Sequence, residues 1–194
     1  MIALGVDPGT RRLGWGVVSR HGNRIEHIAH GVIKLRGEEP LATRLAQIER
    51  ELCEVLGRFK PEVGSVETLF FHKDAQAAAK LGHARGVVLM ALARAKVGVF
   101  EYAPARVKRT LTGSGQADKR RVALMIRAVL NLETAPVSDA ADALALAVTH
   151  LRVGPSLAFE RLATARARSS APPAILARLG PRGRRAGRIP STGL

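Results

Sequence analysis

From Asp139 to Val148 the chain reads Asp-Ala-Ala-Asp-Ala-Leu-Ala-Leu-Ala-Val, apolar everywhere except at Asp139 and Asp142. Ala and Leu are strong helix formers, and a helix with so few polar positions is expected to be mostly buried. Residues three apart share a helix face, so the two acids leave on one side. A buried, unpaired carboxylate costs on the order of several kcal/mol. A fold that buries this helix must therefore bring a cation or hydrogen bonds to that face. Asp139, directly after Ser138, is also accounted for as a first-turn acid answering the helix dipole; Asp142 is not.

The remaining pattern predicts an α/β domain with a mixed sheet. Ile2 to Val6 is a short apolar run ending in Asp7-Pro8-Gly9, a strand followed by a turn. Gly14–Ser19 and Arg24–Leu35 read as two more strands joined at His21-Gly22-Asn23, an antiparallel meander. Pro40 opens a helix in which Leu41, Leu45, Ile48, Leu52, Val55, Leu56 and Phe59 recur at helical spacing, and Pro61 stops it. Val63–Glu67 is a fourth strand, Ala75–Lys96 a long alanine-rich helix, and Val97–Tyr102 a fifth strand. Helical segments follow around Pro104–Leu111, Asp118–Asn131 and Ser138–Arg152. The order β-β-β-α-β-α-β and then helices gives five strands flanked by helices. Residues 1–153 are expected to form this domain. Residues 154–194, rich in Pro, Ala, Gly and Arg, are expected to be a basic, disordered C-terminal tail with at most a short helix over Ser156–Arg168.

Two further acids stand at strand ends, Asp7 at the first strand and Glu67 at the fourth. Singly, Asp7 is a turn residue and Glu67 an ordinary strand-end charge. Taken with Asp139 and Asp142 they suggest a site for divalent metal. Mg²⁺ prefers carboxylate and water oxygens, and two such ions about 4 Å apart can hold both the attacking and the leaving oxygen of a phosphodiester.

Charge points to the same class of partner. The 194 residues carry a formal charge of +15, with a pI near 11.5, which favours a polyanion, either nucleic acid or an anionic membrane. The most apolar stretch, Val87–Ala93, lies between Arg85 and Arg94, too short for a membrane span. The start, Met-Ile-Ala-Leu-Gly-Val-Asp, has no basic segment of a signal peptide. Cys53 is the one cysteine, which excludes an internal disulfide and suits a reducing cytoplasm. Aromatic residues are only 4% of the chain, so the core is expected to be aliphatic.

Several stretches, in order, resemble the RuvC family of bacterial Holliday junction resolvases. They are Gly5-Val6-Asp7-Pro8-Gly9-Thr10, Glu67-Thr68-Leu69-Phe70, Lys80-Leu81-Gly82-His83-Ala84-Arg85-Gly86, Phe100-Glu101-Tyr102-Ala103-Pro104, Val107-Lys108 and Asp139-Ala140-Ala141-Asp142-Ala143-Leu144-Ala145. The likeness spans roughly Met1 to Arg152. It implies a ribonuclease-H-like fold and a homodimer. It further implies that Asp7, Glu67, Asp139 and Asp142 are catalytic carboxylates binding Mg²⁺, two ions per site, with Mn²⁺ able to substitute. The implied reaction is phosphodiester hydrolysis leaving a 5′-phosphate and a 3′-hydroxyl, as paired, symmetric nicks in a four-way junction during DNA recombination and repair. The implied partner is a junction-migrating helicase complex of RuvA and RuvB, and the implied place the bacterial cytoplasm, on the nucleoid when DNA is bound. No role carries over to the tail after Gly154.

Lys108 and Lys119 match basic residues of that family, and Phe70 matches a residue that stacks on an unpaired base, an interaction worth roughly 1–3 kcal/mol. Phe71 is an alternative occupant. Gly113-Ser114-Gly115 leading to Lys119-Arg120-Arg121 reads as a loop opening onto a helix, a seat for phosphate; no Walker A spacing is present. Arg120 and Arg121 also read as a solvated helix face. Lys73, Lys80 and Arg85 extend the DNA-binding surface, Arg85 having a structural alternative. His72 is at best near the DNA, and Trp15 is expected in the core. The small residues of the helix from Ala75 to Lys96 suit either a dimer interface or packing on the chain's own sheet. The alternatives are another ribonuclease-H-like nuclease, an actin-like ATPase lobe, for which the chain is too short, and a non-catalytic basic DNA-binding protein, which leaves the placed acids unexplained.

Overall fold

The structure, a computed structural model, describes residues 1–68 and 75–169. The chain divides after Leu157, and the first unit, Met1–Leu157, holds the whole sheet. Its strands are β1 (Ile2–Asp7), β2 (Arg12–His21), β3 (Arg24–Lys34), β4 (Val63–Glu67) and β5 (Gly98–Tyr102). The helices are α1 (Leu41–Phe59), α2 (Ala75–Arg94), α3 (Pro104–Thr112), α4 (Lys119–Val129) and α5 (Ser138–Ser169). No helix among the described residues is long and apolar enough to cross a membrane.

The sheet order is β3-β2-β1-β4-β5. β1 pairs antiparallel with β2, and β2 with β3, as the short connections require. β4 lies parallel to β1 and β5 parallel to β4, each parallel step spanned by a helical crossover. β2 is longer than its apolar run, because its ends find partners in register: Arg12 opposes Lys34 and His21 opposes Arg24.

Alternation along the strands builds two cores. Leu4, Val6, Leu13, Val17 and Val66 point to one face, where they pack with Ile48, Leu52, Val88 and Leu92 of α1 and α2. Ala3, Val18 and Tyr102 point to the other face, against Leu144, Ala147, Val148 and Leu151 of α5 and the apolar faces of α3 and α4. Full burial of each large aliphatic side chain contributes about 1.5–3 kcal/mol, so both layers are firmly seated. Trp15 packs at the edge of the first core, its ring 5.9 Å from that of Phe59, as expected.

Helix α5 lies unusually close to the sheet. A Cβ at Gly5 would collide with the carbonyl oxygen of Ala143, and one at Gly14 with that of Asp139. Bare main chain at these two positions therefore sets the distance between α5 and strands β1 and β2. α5 also runs further than expected: it continues past Gly154-Pro155 to Ser169 rather than stopping at Arg152. One internal proline removes one main-chain donor, and the Ala- and Leu-rich sequence on its far side favours continuation.

Candidate active site

The same alternation brings the acids together. Counting from Ala3 and Gly5, Asp7 faces α5; counting from Val63 and Ser65, so does Glu67. β1 and β4 are parallel neighbours, paired up to Val6 and Val66, so Asp7 and Glu67 leave the sheet side by side. Asp142 projects from the first turns of α5 into the same space. The three line a cavity of about 220 Å³ with Lys108 from α3 and Lys119 from α4, closed by apolar walls including Val107 and Val122.

The electrostatics of this cavity are those of carboxylates in excess. Burial pushes the Asp7 carboxyl from 3.8 up to about 7, helped by the negative charges of Asp142, Glu67 and, more weakly, Asp139; Lys119 opposes the rise. Lys119 Nζ donates to Asp142 Oδ2 at 3.1 Å, and this hydrogen bond, with the carboxylate charge, holds the ammonium above its ordinary range. The lysine side chain is 76% exposed and its partner 29%, so the pair is only half withdrawn from water.

Asp139 is placed differently. It sits over Gly14, the residue opposite Asp7 in the β1–β2 pair, yet it does not line the cavity. Its Oδ2 is 3.5 Å from Arg12 Nη1. Among the described residues, no three Asp, Glu, His or Cys side chains form a ready-made metal cage. The donor set nonetheless fits a hard divalent cation: carboxylate oxygens only, and more negative charge around Asp7 than the nearby lysine neutralises.

The phosphate seat expected at the start of α4 is filled from within. Asp118 caps the helix, its Oδ1 accepting from Arg121 N at 2.7 Å, because three successive cations at a helix start need an acid to offset the dipole. The preceding loop is stitched by Thr112 and Ser114, Ser114 N donating to Thr112 Oγ1 and Gln116 N to Ser114 Oγ. Arg120 and Arg121 are exposed on α4, and Lys80 is exposed on α2. Arg85 is not part of an open basic surface; it reaches Glu101 and the main chain of Glu67. Phe70, Phe71, His72 and Lys73 lie outside the described residues. Sequence reasoning missed Arg12, Asp118 and Glu101. The Arg11-Arg12 pair after the Asp-Pro-Gly-Thr turn, and an Asp directly ahead of a basic helix, were the available signals for the first two.

Acids collected at the shared end of two parallel strands, under a helix that adds more, on a mixed sheet of this order, define a ribonuclease-H-like nuclease. The family model for the crossover junction endodeoxyribonuclease RuvC matches residues 3–150. RuvC of Sorangium cellulosum is 57% identical over 151 residues, covering 78% of this chain and 84% of that protein. Among solved structures, Thermus thermophilus RuvC matches at TM-score 0.73 and 41% identity, covering 80% of this chain and 96% of that one. T. thermophilus RuvC in complex with Holliday junction substrate matches at TM-score 0.74 and 39% identity, with the same coverage. The chain belongs to the RuvC family of crossover junction endodeoxyribonucleases. It is a structure-selective nuclease of the kind that resolves Holliday junctions, in a family that works with divalent metal ions.

Proposed function

We propose that this chain cuts four-way DNA junctions by paired, symmetric phosphodiester hydrolysis, with Asp7, Glu67, Asp139 and Asp142 as its metal-binding carboxylates. The observation that carries the assignment is the convergence of Asp7, Glu67 and Asp142 on one cavity, with Asp7 pushed up to about 7 by burial and its neighbours. Asp139 joins them in this reading by leaving Arg12, a pair exposed enough to contribute no more than about 1 kcal/mol. Mg²⁺, as two ions or with Mn²⁺ in its place, would supply a stronger nucleophile from water and offset charge on the leaving oxygen.

The chain's own residues do the rest. Lys119 donates to Asp142 and neutralises it in the cavity, and with a cation held by the carboxylates its ammonium would be free to meet phosphate; Lys108, on the same cavity wall, holds the strand beside it. Arg120, Arg121 and Lys73 extend the contact to the backbone, and Phe70 stacks on a base near the cut. Phosphate contacts of this kind dominate affinity and carry no sequence information.

A two-fold homodimer gives two sites for two strands without added machinery. The exposed Ala77, Ala79 and Gly86 of α2 suit a close helix contact, while Ala84 is used by the chain's own core. Residues 154–194 form a basic appendage to a nuclease domain of residues 1–153, RuvA and RuvB are the partners, and the site of action is the cytoplasm. The test is a labelled four-way junction and an equal-length duplex, each with the protein and Mg²⁺. Paired nicks in the junction alone, abolished in Asp7→Asn, are expected; equal cutting of the duplex, or cutting that survives Asp7→Asn, refutes the proposal.

A further inference from the structure

Arg85 lies in the Lys-Leu-Gly-His-Ala-Arg-Gly stretch of α2, and its side chain is 12% exposed. Its Nη2 is 2.5 Å from Glu101 Oε2, and its Nε donates to the Glu67 carbonyl oxygen at 3.4 Å. Glu101 points to the α2 face of the sheet, because its neighbours Phe100 and Tyr102 point to the α5 face. One guanidinium thus joins α2, β5 and the last residue of β4.

From the other side, Thr68 N donates to Tyr102 O at 3.0 Å, and Tyr102 OH bonds His150 Nδ1 of α5 at 2.7 Å. Glu67 is where β4 leaves the ladder, the point at which a strand loses its regular partners. The main chain there is held by Arg85 on one side and by Tyr102 on the other. A guanidinium this enclosed cannot lie flat on DNA, and burying it would be costly without Glu101. The 3.4 Å bond is long, so what matters is less its strength than the fixed place of a cation locked by a carboxylate.

We infer that Arg85, locked by Glu101, is a positioning residue for the nuclease reaction: it fixes the main chain at Glu67 and thereby the carboxylate that Glu67 offers to metal. This rests on Glu67 belonging to the metal-binding set. Outer partners that orient a metal ligand are typically worth ~10–100-fold in metal affinity or activity.

The experiment compares Arg85→Met, Arg85→Lys, Glu101→Gln and Glu67→Gln with the native chain. It measures Mn²⁺ binding to the DNA-free protein by electron paramagnetic resonance, junction Kd in EDTA, and the single-turnover cutting rate against metal concentration. Arg85→Met is expected to weaken Mn²⁺ binding and slow cutting by ~10–100-fold, with junction Kd within about twofold and part of the rate regained at high metal. Arg85→Lys, which keeps the charge opposite Glu101 but not the fork, recovers only part of the loss. Glu101→Gln moves the same readouts in the same direction to a smaller extent, and it keeps the test decisive if Arg85→Met does not fold. Native Mn²⁺ binding in a folded Arg85→Met or Glu101→Gln protein overturns the inference. So does a weakened junction affinity with unchanged cutting of bound DNA, which marks a residue that touches DNA. If Glu67→Gln itself binds metal and cuts like the native chain, it is the assignment of Glu67 that fails.

Discussion

Without metal, an ionised Asp7 is a destabilising charge in its cavity. In the metal-free fold its carboxyl titrates at about 7 instead of 3.8. Because the folded state holds this proton more tightly than the unfolded chain, the associated stability is full below pH 3.8, declines as pH rises, and is gone above about 7. A displacement of that size corresponds to about 4 kcal/mol at most, and the exposed Lys119 and penetrating water reduce what is realised. Asp7→Asn keeps the shape of the side chain and cannot ionise. At pH 8 in EDTA the variant is expected to be about 2–4 kcal/mol more stable than the native chain by urea denaturation, a rise in Tm of roughly 5–10 °C. The gap should shrink at pH 5, where the native Asp7 is largely protonated. Excess Mg²⁺ should stabilise the native chain and leave the variant nearly unmoved, since only a species that binds the folded state adds stability. A variant no more stable than the native chain at pH 8, or a gap that is the same at both pH values, refutes the reading of an over-charged cavity.

Other expectations concern stability and binding. Burial and, next, Arg20 hold the His150 imidazole down to about 4, so its stability contribution is present above pH 6.5 and lost as pH falls through about 4. In the Asp7→Asn background, which removes the opposing titration, His150→Phe should flatten the pH dependence of the urea midpoint across that window; an unchanged slope contradicts a buried neutral imidazole. Gly5→Ala, which sets a methyl against the Ala143 carbonyl, should destabilise by about 3 kcal/mol or more, and near-native unfolding by circular dichroism would show that α5 can retreat without penalty. Replacing Lys108 or Arg121 by Ala should lower the salt slope of junction binding by about 0.9 for each phosphate that is no longer neutralised, whereas Asp7→Asn keeps junction affinity; titration at several salt concentrations separates the two classes.

The parts of the fold that depend on local pattern were legible in the sequence. The short apolar runs of β1, β4 and β5, the helical spacing of α1 and the prolines that bound it carry their own signals. Asp7 and Glu67 were visible as acids at strand ends, and Asp142 as an acid in a buried helix. Which face each acid takes was not legible, because alternation gives two sets of residues and only the neighbouring layers decide which set meets α5. The partners were hidden for a related reason. Arg12 reaches Asp139, and Arg85 reaches Glu101, across elements separated in sequence, and nothing local in either segment signals the other. Asp118 has the local signature of a helix cap, but the three cations that follow it dominate the pattern and point to phosphate instead.

The seam at Gly5 and Gly14 has a meaning for genetics. The distance between the sheet and the helix that carries Asp139 and Asp142 is set where main chain meets main chain, and no rotamer adjustment relieves an added atom there. A screen for null alleles should therefore recover these two glycines alongside the acids. The glycine alleles would be told apart by loss of the folded protein, where an acid-to-amide allele accumulates normally and competes with the native enzyme for junctions.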